Sequence, residues 1–162
     1  MEQDRPSDAH KSRHWLRNGD VVLFATDGVW DNVNIQDILG LVSGEMIKAG
    51  AWTNGGEGIM PSPAGLMAST TTITAGDGGC GGIQTVIARA VVAKAKSASL
   101  NTKVDTPFAK QAQIYLDSRY RGGKVDDITV IATVVMEEPG NGSGSAGEEG
   151  KEEEEEIVKA KL

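Results

Sequence analysis

Two short acidic segments of this 162-residue sequence combine residue types and spacing suited to chemistry. The first is Asp27-Gly28-Val29-Trp30-Asp31-Asn32 and the second is Lys124-Val125-Asp126-Asp127. Neighbouring carboxylates repel one another unless cations or hydrogen-bond donors balance them. Hard divalent ions such as Mg²⁺ and Mn²⁺ prefer oxygen ligands of this kind. Asp27 and Asp126 are therefore the candidate ligands of a divalent cation. Taken singly, each segment has a plainer reading: Asp-Gly after a strand is usually a turn, and a lone Asp-Asp pair is usually a solvated loop. Gly28 permits a sharp backbone turn. Asp31 and Asn32 are placed to bond the amides of that turn, with the Trp30 ring packed beneath it.

Other reactive residue types carry less. Cys80 lies in a glycine-rich stretch without the basic neighbours that would favour a thiolate, so it is no candidate nucleophile. The run Gly78–Gly82 lacks the Lys-Ser/Thr that follows a phosphate-cradling loop and reads as a linker. His10 and His14 lie in a polar lead-in and read as exposed. Arg13, Arg17, Arg119, Arg121 and Lys124 read as a solvated face, with contact to a phosphopeptide as their functional alternative.

The elements that position the two acidic segments follow from hydrophobic period. Asp20–Thr26 (DVVLFAT) is a continuous apolar run bounded by Asn18-Gly19 and Asp27-Gly28, which predicts a buried strand between turns. Asn34 offers a helix N-cap, and Ile35, Ile38, Leu39, Val42 and Met46 recur at helical spacing until Gly50. Ile83, Val86, Ile87, Ala90 and Ala93/Lys94 predict a second amphipathic helix running to about Ser99. Pro107 suits the first turn of a third helix, with Phe108, Ala112 and Tyr115 on one side. Gly122-Gly123 is a turn, and Ile128–Val135 (ITVIATVV) is β-branched almost throughout, which predicts a strand. The fold class is α+β. Asp27 closes the first strand and Asp126 opens the approach to the last. Antiparallel pairing of those strands would bring both carboxylates to one edge.

Composition bounds the rest. One cysteine excludes an internal disulfide framework and a multi-cysteine zinc site. No stretch approaches the roughly 20 apolar residues that span a bilayer. The first residues, MEQDRPSD, lack a signal core and are too acidic for a transit peptide. A net charge of −7 and a pI near 4.8 argue against nucleic-acid binding. Nine of the 23 acidic residues fall from Glu137 onward, so the preceding 136 residues are nearly neutral. Residues 137–162 read as a disordered acidic tail, and residues 1–9 as a disordered lead-in. Residues 50–82 hold ten of the 21 glycines and no period, and they read as a flexible Gly/Ser/Thr-rich surface insertion in a domain spanning 10–136.

Gly19–Asn32 (GDVVLFATDGVWDN) and Gly122–Val135 (GGKVDDITVIATVV) together resemble the two C-terminal motifs of the type 2C, metal-dependent Ser/Thr protein phosphatases. The DDIT segment and Thr106-Pro107-Phe108-Ala109 resemble the small branch that includes mitochondrial members. The resemblance covers about residues 10–49 and 83–136. It implies the C-terminal part of an α-β-β-α sandwich with antiparallel strands. It implies Asp27 and Asp126 as metal ligands, and Gly28, Asp31, Asn32, Asp127 and Thr129 as supporting positions, with no catalytic residue beyond the ligands. It further implies two Mg²⁺ or Mn²⁺ ions, a metal-activated water that attacks phosphorus, and a phosphoprotein substrate. The family's early Asp-Gly segment and its phosphate-gripping Arg have no counterpart in this chain. Asp77-Gly78 lies between the late motifs, the wrong place for it. Two readings therefore stand: an incomplete copy of a phosphatase, or a catalytically inactive remnant acting as a binding module. The resemblance places the protein inside the cell, in the cytoplasm with this N-terminus or in the mitochondrion if a native leader is missing. A partial sandwich leaves an apolar face uncovered, so marginal stability is expected.

Overall fold

The computed structural model describes residues 5–56, 58–71, 73–74, 80–115 and 119–137. After a 3₁₀ turn at Pro6–Asp8, the elements in chain order are β1 (Val21–Ala25), α1 (Asp27–Trp30), α2 (Ile35–Lys48), β2 (Trp52–Gly55), β3 (Gly58–Pro61), α3 (Pro63–Thr71), β4 (Ile73–Thr74), β5 (Cys80–Gly81), α4 (Ile83–Ser99), α5 (Pro107–Tyr115) and β6 (Val130–Val134). The described strands form antiparallel pairs: β1 with β6, β2 with β3, and β4 with β5. The class is α+β. No helix among the described residues is long and apolar enough to cross a membrane.

The two apolar runs pair with each other although more than a hundred residues separate them. Val21 faces Val134, Leu23 faces Ala132 and Ala25 faces Val130. Side chains alternate along a strand, so one set of residues faces the helices and the other faces away. Val21, Leu23, Ala25, Val130, Ala132 and Val134 pack against a buried cluster that includes Val29, Met46, Ile87 and Val91. Helix α4 lies across β6 and also meets α2. Its buried residues are Ile83, Ile87, Val91, Ala95 and Ser99, a seam of every fourth residue. Such i±4 rows are the ridges by which helices commonly pack. The seam runs through Val91 and Ala95, not through Ala93/Lys94 as the helical repeat in the sequence predicts.

The opposite face of the ladder is open. Phe24 is 63% exposed and Ile131, its register partner, is 59% exposed. The continuous apolar run of β1 predicts burial on both faces, and the structure corrects this: no β1 residue is fully buried. The described residues supply a helical layer for one face and nothing for the other.

Helix α2 begins after Asn34 and ends before Gly50, where the sequence places its limits, and Gly50 adopts a positive φ of 71°. Only Ile38, Val42 and Met46 of its apolar stripe are buried; Ile35 and Leu39 are exposed. In α5 the buried residues are Ala109 and Ala112, whereas Tyr115 points to solvent, contrary to the face expected from the sequence.

The greatest departure lies in residues 50–82, expected to be a structureless insertion. Its described residues form the β2–β3 hairpin, helix α3 and the short β4–β5 pair. Ala51 and Leu66 are fully buried, and Ser69 nearly so. Trp52, for which the sequence offers no partner, donates its indole N–H to the Gly19 carbonyl at 3.0 Å. Helix α3 has no amphipathic period because Leu66 is its one fully buried large side chain, while Met67 beside it is exposed. A backbone carbonyl of Gly50 lies where a Cβ on Gly65 would sit. Residues 75–79 of this segment, the expected disorder of residues 1–4, and that of the tail beyond Glu137 lie outside the described residues.

Candidate metal centre

The end of β1 and the approach to β6 are fastened together by one hydroxyl. Thr26 Oγ1 donates to the Asp127 carbonyl at 2.9 Å and accepts the Thr129 amide at 3.1 Å, while the Thr26 amide donates to the Thr129 carbonyl. Asp27 follows Thr26 directly and opens α1. The Gly28 site has no room for a side chain, because the Asp127 carbonyl occupies the place of a Cβ. Gly28 is thus required for close approach of two segments, and its φ is not positive.

Asn32 is the second fastener. Its buried side chain donates to the Gly28 carbonyl at 2.9 Å and to the Lys124 carbonyl at 2.8 Å, and it accepts the Lys124 amide at 2.8 Å. The amide group therefore fixes the Lys124 backbone in both directions. From its position, Asn32 is expected to bond the amides of its own turn. The structure instead has it bridging 92 residues. A third support is Thr106, whose hydroxyl caps α5 by accepting the Ala109 amide and donates to the Gly122 carbonyl. Gly122 sits at φ 107°, where glycine is favoured.

These fasteners bring Asp27, Asp31 and Asp126 together, with one carboxylate oxygen from each lying within 4.8 Å of the others. Asp127 is exposed and contributes its backbone carbonyl; its own amide donates to Asp126 Oδ1 at 2.9 Å. Thr129 contributes backbone atoms to the Thr26 clasp. Asp31, read from the sequence as bonding turn amides, instead turns its carboxylate into the cluster.

Lys124, which the sequence alone places on a solvated face, completes the arrangement. Its Nζ lies 2.7 Å from Asp31 Oδ2, 3.0 Å from Asp126 Oδ2 and 3.5 Å from Asp27 Oδ2. The same ammonium stands 5.7 Å from the centroid of the Phe108 ring, which meets Tyr120 edge-on. The hydrogen bonds to Asp31 and then to Asp126 raise the Lys124 pKa above its ordinary value. The Lys124 hydrogen bond, reinforced by the Asp127 amide, lowers that of Asp126. The signal available in the sequence was spacing: residues two apart, such as 124 and 126, share a side wherever a chain runs extended.

The donor set is chemically suited to a hard divalent ion. It consists of carboxylate oxygens, and Mg²⁺ is commonly held by one or two such groups with water filling the remaining positions. A cation already sits among them in the form of the ammonium, so the cluster is built around positive charge.

No family model matches the chain. Among curated proteins, it is 33% identical over 132 residues to "Protein phosphatase PTC7 homolog fig" of Drosophila sechellia, covering 82% of this chain and 32% of that protein. It is 29% identical over 120 residues to "Probable protein phosphatase 2C BIPP2C1" of Oryza sativa subsp. japonica, covering 74% of this chain and 16% of that protein. Among solved structures, the photosystem II phosphatase PBCP overlaps 74% of this chain and 37% of its own, with a TM-score of 0.44 and 21% identity. The chain thus spans about a third or less of the length of the curated relatives it matches. By sequence, it is a relative of the type 2C protein phosphatases and aligns with a part of one.

Proposed function

We propose that this chain supplies one metal-holding edge of a protein-serine/threonine phosphatase that depends on Mg²⁺ or Mn²⁺. The observation that carries the reading is the convergence of Asp27, Asp31 and Asp126 at the joined ends of β1 and the segment before β6. The relatives' names support the reaction class. Asp27 and Asp126 hold the ion. Asp31 offers a third oxygen beside them. Gly28, Asn32, Asp127 and Thr129 keep the two backbone segments at the separation this requires. A divalent ion bound there supplies an acidified water and neutralises charge on phosphoryl oxygens. Three carboxylates leave about half the octahedral positions of a first ion, and all those of a second, to water and to groups outside this chain. In this reading the chain is an incomplete copy of the catalytic domain.

The test uses the natural protein that carries this chain. Hydrolysis of p-nitrophenyl phosphate and of a phosphothreonine peptide is expected to require Mn²⁺ or Mg²⁺. Asp126→Asn and Asp27→Asn are expected to lower kcat by at least about 100-fold, since even groups behind metal ligands are often worth ten- to a hundredfold. A protein that is inactive with either ion, and unchanged by both substitutions in its metal binding, belongs to the second reading, a non-catalytic binding module.

A further inference from the structure

The cluster contains its own cation, and this has a consequence for any ion that enters. Lys124 Nζ contacts Asp31 and Asp126 at ordinary ion-pair distances and stands at the edge of contact with Asp27. A divalent ion shared by these carboxylates draws on the same three groups that the ammonium engages through their Oδ2 atoms. We propose that Lys124 is a resident competitor for the divalent ion: metal enters by displacing Nζ from Asp31 and Asp126, so this side chain sets the metal affinity of the site. The inference rests on the metal-holding role assigned to Asp27 and Asp126.

The geometry makes displacement feasible without dismantling the site. The Lys124 backbone is fixed on both sides by Asn32, independently of the position of Nζ. The stem is about one-third exposed, and four methylenes let the ammonium swing outward while the main chain stays in place. The neighbouring Phe108 ring offers the released charge a nearby surface. With Nζ in place the three carboxylates carry a net charge of two negatives rather than three, which weakens attraction for an incoming dication. Each ion pair is partly solvated, so the effect is moderate rather than absolute.

Mn²⁺ binding to the intact protein, followed by calorimetry and by the electron paramagnetic resonance of free Mn²⁺, tests this directly. Lys124→Met keeps the apolar stem and removes the charge. It is expected to tighten Mn²⁺ binding about fivefold, the scale of one partly exposed ion pair. Lys124→Arg is expected to remain near the wild type, and Asp126→Asn to lose binding. Equal or weaker affinity in a folded Lys124→Met protein overturns the competitor role while leaving the metal centre intact. Absence of Mn²⁺ binding in every form overturns both readings. Should the methionine variant not fold, the wild type provides the test. Reductive methylation read by mass spectrometry is expected to speed up at Lys124 relative to Lys110 when Mg²⁺ is added, and an unchanged ratio overturns the proposal.

Discussion

The two faces of the β1–β6 ladder are both largely apolar and have opposite surroundings. Val21, Leu23, Ala25, Val130, Ala132 and Val134 look toward α4 and the core, whereas Phe24 and Ile131 look outward and remain exposed. Apolar character alone therefore does not say which side of a strand is covered. A strand that is apolar on both sides calls for two layers, and the described residues provide one. The same ladder joins its ends through Thr26 and thereby assembles the acidic cluster, so the packed face and the candidate metal centre depend on the same pairing.

That contrast is sharpest where the core is densest. Ile87→Ala opens a cavity beneath the packed face at a fully buried position. It is expected to destabilise the protein by about 2–5 kcal/mol, read as a lower urea midpoint. Next in size is Asn32→Ala, which leaves the Lys124 amide and two carbonyls without their partner. An expected loss of about 2–3 kcal/mol, together with weakened Mn²⁺ binding, would show that the fastener serves both stability and the site.

A pH series on the chelator-treated protein addresses the cluster itself. Asp126 has a lowered pKa in the fold, so its ion pair adds stability above its unfolded value, near 4, and that stability is lost as pH falls through the depressed folded value. Lys124 has a raised pKa, so its share is present below its unfolded value, near 10.4, and is lost as pH rises through the still higher folded value. A plateau in melting temperature between these limits is expected. Lys124→Met should flatten the acid limb, and a limb that is unchanged would break the link between Lys124 and Asp126.

The smallest effect belongs to the open face. Phe24→Ser is expected to shift the stability of this chain by less than about 0.5 kcal/mol, as for surface positions generally, while reducing light scattering on concentration. A loss comparable to that of Ile87→Ala would mean that the outer face is covered after all, and the contrast between the faces would fall.

Much of the scaffold was legible because it depends on local pattern. The limits of α2 and α4 follow from Asn34, Gly50 and the helical repeat, and Pro107 marks the start of α5 through its fixed φ and absent amide. The segment 50–82 was not legible, because a hairpin and a helix anchored by one leucine among glycines leave no period to read. Asp27 and Asp126 were legible as candidates from their positions beside apolar strands. The roles of Asp31 and Asn32 were not, since each acts on Lys124 about 92 residues away and no local rule links such positions; for Lys124 the sequence carries only its spacing from Asp126.

Chemical type and strand-end placement were set by the order of residues alone: two carboxylate-bearing turns, each joined to an apolar run that water disfavours. Only the folded arrangement decided that those runs pair with each other, that one face of the pair is covered, and that an ammonium lies between the acids. The physical reason is range. Turn geometry and amphipathic period are settled within a few residues, whereas electrostatic and hydrogen-bond partners are chosen by proximity in space, which exists only after the distant segments have met.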